Sequence, residues 1–108
     1  MPMKTHTNTM VIAGLHTAVM HEYECRQYDI IGPHDGTPKF VAVFILMHYY
    51  DGWQRGIAVA YNTNFHFVPT IVERMKILYG ESEGFRDKIH RILNFIEDYG
   101  EKSMDAVA

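Results

Sequence analysis

What this chain has little of bounds it before any pattern is read. It carries one cysteine, Cys25. An intramolecular disulfide framework is excluded, and a reducing, cytoplasmic compartment fits best. Long apolar runs are missing, and no stretch reaches the length of a transmembrane helix. Residues 10–20 are apolar, but His16 and Thr17 interrupt them and only Lys4 precedes them, a poor signal peptide. Basic charge is scarce: 10 Lys and Arg stand against 13 Asp and Glu, a net charge of −3. Four cations (Lys4, Arg26, Lys39, Arg55) lie in residues 1–68, and the other six are mixed with seven acids in 69–102. Without a basic patch, nucleic-acid binding loses its main driving force.

The local signatures of common chemistries are also missing. There is no Gly-rich phosphate loop ending in Lys-Ser/Thr and no dinucleotide fingerprint. There is no His-Glu-x-x-His, no Gly-x-Ser-x-Gly and no Cys-x-x-Cys. No cofactor is expected. Cys25 reads as a small buried hydrophobe rather than a nucleophile.

What is present is a globular composition, 47% apolar and 13% aromatic. At 108 residues the chain is one domain that buries roughly 65% of its unfolded surface. Residues 1–8 read as a flexible N-terminus, 9–100 as a single domain and 101–108 as a flexible C-terminal tail.

The domain is organised around residues 39–64, KFVAVFILMHYYDGWQRGIAVAYNTN. Two runs rich in Val, Ile, Phe and Tyr flank Asp51-Gly52, a favoured pair for a type I′ hairpin loop. That register places Tyr50 opposite Trp53, Leu46 opposite Ile57, Phe44 opposite Val59 and Ala42 opposite Tyr61. Neither face is polar along 40–47, so both need cover. Upstream, residues 9–13 read as a short strand ended near Gly14, and residues 17–29 alternate with period 2. A helix through 15–28 competes, but it leaves Glu22 beside Leu15, Val19 and Tyr23. Residues 32–38 form a Gly- and Pro-rich loop. Residues 65–68 extend the hairpin or connect it onward.

Helical spacing returns after Pro69, which suits a first turn. Ile71, Val72, Met75, Leu78 and Tyr79 form a stripe that Gly80 ends. Ser82 caps a second helix lined by Phe85, Ile89, Ile92, Leu93 and Ile96, ending at Gly100. The expected fold is α+β: a four-stranded antiparallel β-meander followed by two C-terminal α-helices packed on one face.

Candidate functional residues fall into three sets. Tyr49, Tyr50, Trp53, Gln54 and Arg55 cluster at the hairpin tip, and Tyr, Trp and Arg often dominate binding energy at interfaces. Phe44, Leu46, Ile57, Val59 and Tyr61 form the face left for a partner or a second copy of the chain, a homodimer being the commonest such assembly. The seven histidines raise a metal alternative in which His34, Asp35, His48 and His66 assemble across strands. Against it stands the reading of scattered surface and core histidines. The function expected is a small non-enzymatic protein-interaction module: an inhibitor, immunity or accessory factor that binds and occludes a larger protein machine. The alternative is a metal-binding protein or metal-assisted hydrolase. A protein partner is expected; a nucleic acid or membrane partner is not.

Overall fold

Residues 37–48 form a helix, and that single fact reorganises the chain. The computed structural model describes the backbone of residues 7–107 and the side chains of residues 7–100. In chain order the helices are α1 Thr9–Tyr23, α2 Gln27–Ile31, α3 Thr37–His48, α4 Gln54–Ala60, α5 Val68–Glu81 and α6 Glu83–Val107. A 3₁₀ turn, Phe65–Phe67, joins α4 to α5. Among the described residues there is no strand and no sheet. The expected α+β meander with its antiparallel hairpin is thus corrected to an all-α, bundle-like fold.

The physical reason lies in α3. Val41, Ala42, Val43, Phe44, Ile45 and Leu46 are buried in succession. At about 100° per residue, six consecutive positions point all the way round a helix. Such a helix must be enclosed. α1, α2 and α5 pack against it, while α6 runs along α1 and touches α5. A continuous apolar run does not by itself distinguish a buried strand from a buried helix. The β-branched Val41, Val43 and Ile45 favour strand, but each costs a helix at most about 0.7 kcal/mol relative to Ala. Length and pairing outweigh that cost. Twelve residues extended span about 40 Å, against about 18 Å as a helix. The molecule measures 41 × 35 × 30 Å, so a strand buried along that whole length would run from surface to surface. It would also need neighbours on both edges to pair its backbone groups, which a helix pairs internally. Pro38 in the first turn of α3 is the start signal that the loop reading of 32–38 missed.

Asp51-Gly52 lies in the connection between α3 and α4, not in a hairpin. Among the described residues positive φ occurs at Glu24 and Asn62 and at no glycine, so the type I′ geometry is absent. Gly52 is instead pressed against α3. Its N–H bonds the Leu46 carbonyl at 3.0 Å. A Cβ there would lie 2.6 Å from that oxygen and 2.5 Å from Ile57 Cδ1.

The two expected N-terminal strands, 9–13 and 17–29, fall on α1, with Gly14 buried inside it, and on the turn after it and the start of α2. Asn8 Oδ1 caps α1 by accepting the Val11 N–H at 3.0 Å. Glu22 does lie beside the apolar stripe, and α6 answers it. Arg91 donates its Nε–H to the Glu22 carboxylate. Lys88 lies 4.5 Å over the Tyr23 ring.

Helices occupy the C-terminal third, with ends beyond the expected stops. α5 passes Gly80 to Glu81, and α6 passes Gly100 to Val107. Ser82 Oγ accepts the Phe85 N–H at 3.1 Å. Arg86 Nη1 donates to the carbonyls of Tyr79 and Gly80 at 2.7 and 3.2 Å, closing the end of α5. Of the expected flexible ends, residues 1–6, residue 108 and the side chains of 101–107 lie outside the described residues. Among the described residues, no helix is long and apolar enough to cross a membrane.

Lys39, in the first turn of α3, is 0% exposed. Its Nζ donates to the Gly32 carbonyl at 2.6 Å and the Asn62 carbonyl at 3.1 Å, with Asp35 Oδ1 at 3.6 Å. One ammonium therefore ties the turn after α2 to the turn after α4. Lys39→Met keeps the apolar stem and leaves both carbonyls unsatisfied. We expect it to lower stability by about 1–3 kcal/mol in urea denaturation. A change within error would show that water replaces the ammonium without cost.

Candidate functional site

α4 is the helix least absorbed into the bundle. Its seven residues, QRGIAVA, send Ile57 and Ala58 into the core. Val59 and Ala60 face out, Val59 being 81% exposed. Trp53, at the N-cap, is 72% exposed. Its ring lies across Gly56, where a Cβ would meet Trp53 Cε3 at 2.8 Å. Glycine at this position is what lets the indole lie down on the helix.

Beside Trp53 runs an open groove of about 360 Å³, walled by Ile12, Leu46, Trp53, Gly56, Ile57 and Tyr61. Thr7 and Asp51 stand at its polar end, where the Thr7 N–H donates to Asp51 Oδ1 at 2.6 Å. The Thr7 hydroxyl is buried with no hydrogen-bond partner among the described residues.

The floor of this region is held from below. The buried Tyr61 hydroxyl and His16 Nε2 lie 2.8 Å apart, joining the end of α4 to α1, with the rings edge to face. Burial pushes the Tyr61 hydroxyl well above its usual value and holds His16 below 6.5. On the other side, Gln54 Nε2 donates to the Phe65 carbonyl at 3.1 Å. The Arg55 guanidinium lies over the Phe65 ring at 5.2 Å, and that of Arg74, from α5, over the Phe67 ring at 5.6 Å. Phe67 meets Phe40 of α3 edge-on at 5.9 Å.

The fold separates the five expected tip residues. Trp53 and Arg55 point outward, and Gln54 braces the 3₁₀ turn. Tyr50 is buried, and its hydroxyl is raised by burial and by the nearby Glu97. Tyr49 is half-buried, and burial together with a hydrogen bond to Tyr79 pushes its hydroxyl up to about 12. Tyr79 in turn meets His90 Nε2 at 2.7 Å, so Tyr49 belongs to a seam between α3, α5 and α6. Of the expected partner face, Phe44, Leu46, Ile57 and Tyr61 lie in the chain's own core, and Val59 alone of the five is exposed. Sequence reasoning missed Arg74, Phe65 and Phe67, although Phe-His-Phe between two arginines was a usable signal.

The four residues of the metal alternative are dispersed. His34 and Asp35 line a cleft of about 330 Å³ with Cys25, Tyr28 and Asp29. His48 stacks on Phe44, with ring centroids 5.2 Å apart, and His66 lies against Phe65 at 5.1 Å. Among the described residues no group of three or more His, Cys, Asp or Glu could hold a metal ion. In the cleft, burial and the neighbouring Asp29 push the Cys25 thiol up, which keeps it protonated and poorly nucleophilic.

Comparison of the chain with protein-family models, with curated proteins and with solved structures finds no match.

The His16–Tyr61 contact sets a pH dependence. His16 is depressed in the fold, so the folded chain binds fewer protons than the unfolded chain just below pH 6.5. Stability from this group is complete above 6.5 and is lost as the pH falls through the folded value. In urea titrations, His16→Gln should lose less stability than the wild type between about pH 7.5 and about pH 5. Equal losses would show that His16 does not contribute to the acid sensitivity.

Proposed function

We propose that this chain is a small non-enzymatic protein-interaction module that acts through the outer surface of α4. It serves as an inhibitor, immunity or accessory factor, binding and occluding a larger protein machine in a reducing, cytoplasmic setting. One observation carries the reading: Trp53, 72% exposed, lies over Gly56 at the rim of an apolar groove. A tryptophan left in water forfeits a large burial gain. Trp at the edge of a pocket, with an exposed Arg elsewhere on the same helix, supplies the residue types that anchor interfaces. Val59 extends the apolar surface along α4. The anchors beneath it, Ile57 in the core, Tyr61 on His16 and Gln54 on Phe65, hold the surface in shape before a partner arrives. That lowers the ordering cost of binding.

The test is site-specific photo-crosslinking in the source cells. A benzophenone side chain replaces Val59 or, as a control on a remote exposed position, Glu83. We expect a discrete protein adduct from position 59 that Trp53→Ala removes, with affinity weakened by about 2 kcal/mol or more. Helix content by circular dichroism should stay unchanged. Adducts at position 59 no stronger than at 83 would defeat the reading.

A further inference from the structure

We propose that the surface beside α4 takes an acidic segment of the partner protein. Carboxylates of that segment pair with Arg55 and Arg74, and a neighbouring apolar side chain enters the groove at Trp53. The inference rests on the interaction reading above and adds the partner's chemistry.

The first support is the state of the two guanidiniums. Each lies over a phenylalanine on the 3₁₀ turn, Arg55 over Phe65 and Arg74 over Phe67. Among the described residues, neither has a carboxylate or carbonyl partner. A guanidinium stacked on a ring keeps its N–H donors free at its edge, in the fork geometry that matches a carboxylate. The ring also restricts the side chain, so less freedom is lost when a ligand binds. Other arginines are used inside the chain: Arg86 on the end of α5 and Arg91 on Glu22.

The second support is local charge. The chain is net −3, yet residues 52–72 contain no Asp or Glu. Asp51, just before that run, already accepts the Thr7 N–H. Glu73, just after it, faces Lys76 at 3.5 Å rather than Arg74. The surface spanning α4, the 3₁₀ turn and the start of α5 is therefore cationic and aromatic within an acidic protein. Its complement is an anion with an apolar neighbour.

A nucleic acid fits less well. The guanidiniums cover faces of the rings on which bases would stack. A chain of net negative charge also repels a long polyanion. A second copy of this chain fits less well too, because α4 is about 10 Å long. A stable dimer buries about 800 Å² on each partner.

The experiment selects a random dodecapeptide display library on the immobilised full chain. The enriched peptide is then synthesised and titrated while the fluorescence of Trp53, the single tryptophan, is followed. We expect enrichment of clustered Asp and Glu around an apolar residue. The affinity of that peptide should fall about tenfold or more in the Arg55→Gln, Arg74→Gln double variant, and should weaken as NaCl is raised. The Arg55→Lys, Arg74→Lys variant keeps the charge and should recover part of the loss; it serves as the second test if the Gln variant does not fold. Enriched peptides without acid, or acidic peptides indifferent to both double variants, would overturn the inference. In either case the adduct at position 59 would still stand. Tighter binding of an oligothymidine than of any peptide, or an Arg-dependent dimer in solution, would also overturn it by naming a different occupant.

Discussion

Everything in this fold follows from enclosing α3. A helix apolar on every side has no stable place at a surface, so the chain before it and after it must wrap it. α1 and α2 do so from one end of the sequence and α5 from the other, and α6 closes the bundle by running along α1. Burying each large side chain of α3 contributes about 1.5–3 kcal/mol, far more than its β-branched residues cost a helix. The polar consequences fall on the first turn. Lys39 enters the interior with α3, and its ammonium is matched by two carbonyls that end neighbouring segments. The central helix thus sets where the turns after α2 and α4 can lie.

The same enclosure gives α4 its character. A seven-residue helix is too short to persist alone. It holds its place because Ile57 reaches the core and Tyr61 and Gln54 are fixed by His16 and Phe65. Once those anchors are made, little is left for the outward side to do in folding. Trp53, Val59 and Arg55 are left exposed to solvent. The result is a bundle with one lightly attached helix, flanked by Trp53 at its N-cap and Tyr61 at its C-cap.

The sequence made some of this legible and hid the rest for definable reasons. Within the expected hairpin only α3 proves central, and the backbone state of residues 40–47 could not be read from polarity, since neither period 2 nor period 3.6 survives in a run with no polar positions. Asp51-Gly52 lies in the connection between α3 and α4 and forms no hairpin turn. Its requirement is closeness to Leu46 and Ile57, which only the packed structure supplies. Glu22 looked wrong on a helical stripe because its partner, Arg91, lies 69 residues away. The C-terminal helices were readable because their stripes are amphipathic and Ser82 and Pro69 mark their starts. At the site, Trp53, Arg55 and Val59 were picked out and do face solvent. Tyr49, Tyr50 and most of the expected partner face turned inward with the change from strand to helix. Arg74 could join the surface only once α5 was placed beside the 3₁₀ turn.

The central claim is that residues 41–46 form an enclosed helix rather than a strand. Carbon-13 chemical shifts of the uniformly labelled protein, read with amide hydrogen exchange, test it most directly. The account predicts Cα shifts above and Cβ shifts below their random-coil values from Val41 through Leu46, with amide exchange among the slowest in the chain. Shifts of the opposite sign, with cross-strand contacts between residues 40–50 and 53–61, would restore the hairpin and contradict the bundle.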